Sequence, residues 1–349
     1  MFRDMRYLTP MQRRLVFFLI FGGGLMLLIL VTVLLVNSAL NTNQRQISVS
    51  LHPDLTVREF VTLPDDNAYP PAVAVAPDGT LYTGSFASGA VWAIAPDGTV
   101  TELPDTRETI GAVAGLAVAP DGALLVVDQL DTDVRSAGGS VARISPDRTE
   151  IDRLFAYIDD ERGFVSPNDL ALDSQGRIYV SDSGRNEVWR FNPDGSGGHV
   201  WWVPTLIQGT RTAITGLAYD PTTDSILITE PEKNQIYRVR VADGAAETLY
   251  SYPSEEGTPP GFDGIDVAPD GTIYVAALGQ NGIAIVSEGE LTYIAGLFRG
   301  ASDVAYDPTT SRLYVPNFDQ ASLVLPLVLP QLPFAIDVIE LSAPVQQSS

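Results

Sequence analysis

Ser166–Gly195 reads SPNDLALDSQGRIYVSDSGRNEVWRFNPDG, and the chain from about residue 54 onward varies this pattern. A small-apolar run, Leu170-Ala171-Leu172, meets a turn at Ser174-Gln175-Gly176. A second run, Ile178-Tyr179-Val180, ends in the polar loop Ser181–Asn186, and a third, Val188–Phe191, ends in Pro193-Asp194-Gly195. Short apolar runs bounded by Gly, Asp, Asn and Pro mark strands and turns. Their spacing leaves no room for helical crossovers, so the strands pair antiparallel.

The first turn recurs at Pro77, Pro120, Ser174, Pro221, Pro269 and Pro308, with successive spacings of 43, 54, 47, 48 and 39 residues. Six units of about 45 residues are the period of a propeller. The predicted fold is all-β: a six-bladed β-propeller of four-stranded antiparallel blades. The first strand of each unit alternates small and branched residues: Val73-Ala74-Val75, Leu116-Ala117-Val118, Leu170-Ala171-Leu172, Leu217-Ala218-Tyr219, Ile265-Asp266-Val267 and Val304-Ala305-Tyr306. Such strands suit a crowded axis, while Trp92, Trp189 and Tyr237 belong further out where blades diverge. Two stretches compete to complete blade six. Leu55–Leu63 resembles a fourth strand and is expected to close the ring; its rival is Phe334–Leu341, beyond Pro326, Pro330 and Pro333.

The chain opens differently. Leu15–Val36 carries no charge and as a helix would be about 33 Å long, enough to cross a bilayer. Thr9-Pro10 reads as an N-cap and first helical residue. Arg3, Arg6, Arg13 and Arg14 precede the span, and the next basic residue is Arg45. This asymmetry predicts a single-pass anchor with the N-terminus cytoplasmic and the propeller extracytoplasmic; a cleaved signal peptide is the weaker reading. The expected organisation is a basic segment at 1–14, a transmembrane helix at 15–36, a linker at 37–53, the propeller at 54–325 and a Pro-rich segment at 326–349.

The formal net charge is −22 although residues 1–36 carry four arginines against one aspartate. The propeller is therefore strongly acidic, which argues against a nucleic-acid partner. There is no cysteine, so disulfides, thiol nucleophiles and cysteine metal sites are excluded. The two histidines, His52 and His199, fall in the linker and at the start of an outer strand, away from the axis. Asp128, Asp182 and Glu230 end second strands, where they are expected to bond loop backbone.

One column is more informative. The residues that open the inner strands converge at one mouth of the axis: Pro71, Ala114, Asn168, Thr215, Asp263 and Ser302. Asn168 and Asp263 would suit Ca2+, a hard ion that takes oxygen ligands; the competing reading is that both merely bond backbone where the strands begin. Thr215 and Ser302 would line the channel. Asp266 stands in a column otherwise filled by alanine, and a carboxylate there is costly unless paired or beside a cation.

SPNDLALDSQGRIYVSDSG and FDGIDVAPDGTIYVAALGQNGIAIV resemble repeats of the gluconolactonase, senescence-marker-protein and luciferin-regenerating-enzyme family. The resemblance covers all six units. It implies six blades, Ca2+ in the central channel, and hydrolysis of lactones, esters or phosphotriesters. By position it puts Asn168 and Asp263 among the metal ligands and Asp266 behind them. Pro71 falls where relatives carry a glutamate ligand, Thr215 where they carry an asparagine, and the histidines used by some relatives have no counterpart in the channel. Asp65, Asp66 or Asn67 would have to reach in from the preceding loop. No general base stands out. Two readings follow: a Ca-dependent hydrolase of a small lactone or ester, or a non-catalytic propeller of the NHL-repeat kind that presents its loop face to a protein or small ligand.

Overall fold

The computed structural model describes residues 9–40, 45–132, 137–158, 162–205, 213–253, 257–325 and 327–341. It divides into two compact units, Met1–Arg45 with Ala321–Pro330, and Gln46–Gln320 with Gln331–Ser349.

The first unit carries the helix Pro10–Leu40. Its start is a capping box: the Gln12 amide donates to Thr9 Oγ1 at 3.3 Å, and the Thr9 amide to Gln12 Oε1 at 2.9 Å. Pro10 follows as the first helical residue, where its missing N–H costs nothing. The stretch Pro10–Ser38 is long and apolar enough to cross a membrane.

The second unit is a six-bladed propeller of antiparallel sheets. Blade one is built from Val73–Val75, Leu81–Gly84, Val91–Ile94 and Val100–Glu102. Blades two, three, four and five repeat that order from Val113 to Phe155, from Pro167 to Trp202, from Leu217 to Ser251 and from Phe262 to Gly296. Trp92 and Trp189, on third strands, are fully buried. The PDG turns behave as the residue types demand: Asp78, Asp121 and Asp270 each accept the amide two residues on, at 2.9–3.0 Å. Their glycines take φ of +83 to +88°, open to glycine at no steric cost.

Blade six closes the ring with strands from both ends of the propeller. Thr56–Thr62 is its outermost strand, as Leu55–Leu63 was expected to be. The rival stretch is also used: Ala335–Glu340 is the third strand, between Arg312–Pro316 and the N-terminal strand. The propeller therefore runs past residue 325 to Glu340. The prolines do not end it; they lie in a long connection between its second and third strands. Glu340 ties the closure, accepting Arg58 at 3.0 Å and Arg312 at 3.4 Å. The expected linker is also partly structural. Val49–Ser50 adds a fifth strand to blade five, pairing with Gly296 and Ala295, and Ser48 Oγ donates to Asp337 Oδ2 at 2.6 Å.

Candidate functional site

Each inner strand offers one edge to its blade and leaves the other facing the axis. Amides on that free edge have no strand to pair with, and an unpaired buried N–H is costly. The chain supplies carboxylates instead. Asp169 Oδ1 accepts the Leu170 amide at 2.8 Å, and its Oδ2 accepts Leu217 of the next blade at 2.8 Å. Asp303 repeats the device between blades six and one, accepting Val304 at 2.8 Å and Val73 at 2.9 Å. Asp266 does the same between blades five and six, accepting Val267 at 2.8 Å and Tyr306 at 2.7 Å. Carboxylates thus staple neighbouring inner strands around the axis.

These staples need room. A Cβ on Gly264 would lie 2.0 Å from Asp303 Oδ1, and one on Gly115 2.8 Å from Asp169 Oδ1. The column after the mouth residues accordingly reads Ala72, Gly115, Asp169, Gly216, Gly264 and Asp303. Asp169 and Asp303 are the site residues that the sequence reading passed over. Their signal was there: two carboxylates in a column otherwise held by glycine and alanine.

The axis is a channel of about 410 Å3 lined by inner-strand residues of all six blades, including Asp169, Asp266, Asp303, Tyr219 and Tyr306. Among the described residues, no basic residue lines it. Asp169, Asp266 and Asp303 line the channel while Asp263 does not, and all four are ringed by protein, so burial dominates their chemistry. Burial pushes Asp263 up to about 7, with the charge of Asp169 adding to it and the Thr215 hydroxyl opposing it. Burial pushes Asp169 up to about 7 and Asp266 to about 6, each held back by its two amides. Asp303 lies well above the carboxylate range, from burial first and from the charge of Asp169 second.

The six mouth residues open neighbouring inner strands, and they divide by role. Asp263 and Asn168 are half-buried. Thr215 supports the wall: its Oγ1 lies 3.0 Å from Thr229 Oγ1, and its carbonyl accepts Ser181 Oγ at 2.6 Å. Ser302 is buried, with its hydroxyl given to the Pro71 carbonyl at 2.6 Å. Asp266 is a staple to the Tyr306 amide, which accounts for a carboxylate in the alanine column. Asp65 is taken by Arg107 at 2.8 Å and by the Asn67 amide at 2.8 Å. His52 and His199 are exposed. Asp128 and Asp182 bond loop backbone as expected: Asp182 accepts the amides of Val165, Ser166 and Arg185 at 2.8–3.0 Å.

Two observations bear on calcium. An acid channel with hard oxygen donors and no basic partner fits a hard cation as countercharge. Yet among the described residues no three carboxylate or imidazole groups converge to hold one. The donor set fits a cation that keeps much of its water, and does not fit a cage built wholly from protein.

Six four- or five-stranded antiparallel sheets closed around an acid-lined axial channel define the class: a six-bladed β-propeller. The profile of the SMP-30/gluconolactonase/LRE-like family matches residues 108–315, and the chain belongs to that family. Residues 53–94 match the N-terminal region of strictosidine synthase-like proteins. Solved structures share the fold at low identity. A gluconolactonase from Xanthomonas campestris is 18% identical over 86% of this chain and 95% of its own, with a TM-score of 0.61. A luciferin-regenerating enzyme is 16% identical over 83% and 96%, with a TM-score of 0.60. A virginiamycin B lyase from Staphylococcus aureus is 17% identical over 75% and 81%, with a TM-score of 0.53. No curated protein sequence matches the chain.

Proposed function

We propose that this is a membrane-anchored hydrolase of lactones or esters, working at the mouth where Asn168 and Asp263 stand. In this reading Pro10–Leu40 holds the propeller on the extracytoplasmic side. The observation that carries the proposal is the acid channel: raised carboxyls at Asp169, Asp266 and Asp303 on its wall and at Asp263 at the start of an inner strand, with no basic residue among the described lining residues. Family membership supports it.

Asn168 and Asp263 would hold a hydrated Ca2+, which when bound polarises a carbonyl oxygen as a Lewis acid. Thr215, whose hydroxyl pulls the Asp263 carboxyl down against burial, would stand beside it at the mouth. Asp266 and Asp303 fix the spacing of the inner strands, and so the width of the mouth. Asp169, beside Asn168 and pushed up to about 7, has the proton affinity that suits acceptance of a proton from water near neutral pH.

The alternative, a non-catalytic propeller presenting its loop face, is favoured by Pro71 and Ala114, which bring no side-chain ligand to the mouth. Calcium calorimetry and a panel of lactones and aryl esters separate the two, using full-length protein in detergent. Binding should be detectable, be weaker for Mg2+, vanish in Asp263→Ala and weaken in Asn168→Ala. Hydrolysis should fall in the same order and stop in chelator. Binding without turnover selects the presenting scaffold. Absence of binding at millimolar calcium, with Asp263→Ala normally folded, overturns the metal site.

A further inference from the structure

Outside the N-terminal helix, exposed large apolar side chains fall singly at Leu130, Tyr157 and Val203 but gather in the stretch 324–332. Val324, Leu325, Leu327 and Leu329 are 42–65% exposed, and Ile47, Leu51 and Leu297 are exposed as well. The first four belong to the connection 317–334 between the second and third strands of blade six. The corresponding connection in blade three is only 183–186, and in blade four 231–234. From residue 317 to residue 336 the only charge is Asp319, in a chain whose net charge is −22.

Both ends of the connection are fixed to the propeller. Arg299, buried, donates through Nη1 to the carbonyls of Gln331 and Pro333. Asp319 Oδ2 accepts the Gln331 amide at 2.7 Å. The same Gln331 receives the chain arriving from the helix: the Gln46 amide donates to its Oε1 at 2.6 Å. The tip residues Ala321–Pro330 also fall in the same compact unit as the N-terminal segment.

Topology sets which face this is. Inner strands leave the mouth, second strands return to it, and a second-to-third connection therefore lies on the mouth face. Val49 pairs with Gly296, the mouth end of blade five's outer strand, so the arriving chain reaches that face too.

We infer that the apolar tip at 321–330 inserts into the lipid interface of the bilayer that the helix crosses, turning the channel mouth toward the membrane surface. The inference rests on the anchor reading given above. The tip is too short to span and is broken by prolines, so it seats at the boundary of headgroups and acyl chains. Its lack of charge suits that boundary, whereas the surrounding acidic surface would be repelled by anionic headgroups.

The chain has no cysteine, so Leu329→Cys and Leu325→Cys each give a single spin-label site in the full-length protein. Asp194→Cys, on an exposed outer turn, is the aqueous control. The proteins are reconstituted in phosphatidylcholine vesicles, and nitroxide relaxation by oxygen is compared with relaxation by a water-soluble nickel chelate. Oxygen should dominate at both tip sites and nickel at the control. Carbonate washing of the same vesicles scores the helix separately. Retained protein with nickel-accessible tip labels overturns the inference and leaves the anchor standing. Released protein with nickel-accessible labels overturns both, and released protein with oxygen-dominated labels before the wash upholds the tip alone. Dipolar broadening between tip labels would make a second copy the occupant and also overturn it.

Discussion

Replacing Asp266 by asparagine should flatten the dependence of stability on pH. In the folded protein burial lifts this carboxyl from an ordinary 3.8 to about 6, against the pull of the Val267 and Tyr306 amides. A raised acid binds its proton more tightly in the native state. Its stabilising contribution is therefore full below about pH 4 and is lost as pH rises through about 6. The shift is worth about 3 kcal/mol in all, of which roughly 1.4 kcal/mol disappears between about pH 5 and pH 8. Asp169, Asp263 and Asp303 act in the same direction, so the wild-type loss should exceed that figure. The turn aspartates, such as Asp78 and Asp270, are held below their ordinary range and remain ionised throughout this window, so they do not mask the effect. The assay is urea unfolding of the detergent-solubilised protein in chelator, followed through the buried Trp92 and Trp189. The wild type should lose stability from about pH 5 to pH 8, and Asp266→Asn should lose about 1.4 kcal/mol less. Equal slopes for the two proteins, or a wild type that gains stability with pH, would refute the charge assignment.

Gly264→Ala should destabilise the propeller by at least about 1–3 kcal/mol, because the new methyl would sit 2.0 Å from Asp303 Oδ1 and 2.6 Å from its Cα. A thermal melt unchanged from wild type would show that the inner strands are not packed as described. Asp182→Ala strands the amides of Val165, Ser166 and Arg185, at about 1–3 kcal/mol for each one left dry. Hydrogen exchange at those amides should accelerate, and unchanged protection would count against the loop-bonding role.

The fold was legible because its repeat is written in turn chemistry. Three of the six period-setting turns are Pro-Asp-Gly, and Ser174-Gln175-Gly176, Pro221-Thr222-Thr223 and Pro308-Thr309-Thr310 hold the same place in the other three blades. The N-terminal helix was legible for a similar reason, since an uncharged run of that length has few other uses. Blade six was read only in part. The propeller was expected to end at residue 325, yet the structure ends a short helix there, Gln320–Val324, and places the third strand at Ala335–Glu340. Local propensity does not reveal an insertion that delays a strand. Val49–Ser50 was invisible because two residues carry no period. At the site, the sequence yielded Asp263 and Asp266 by their side-chain type. It did not yield Asp169 and Asp303, whose role depends on free amide edges in the next blade, a relation across the ring that no local window contains.

The strand Val49–Ser50 alters how the propeller would bear load. Between the helix and the ring the chain is clamped first to blade five and then, through Thr56–Thr62, to blade six. Tension drawn through the N-terminal helix would meet the short clamp before it meets the strand that closes the ring. A pull along the strand direction is shared among its hydrogen bonds, whereas a sideways pull peels them singly. The two-residue clamp therefore acts as a strain relief, and drag on the domain could free it while the six blades stay shut.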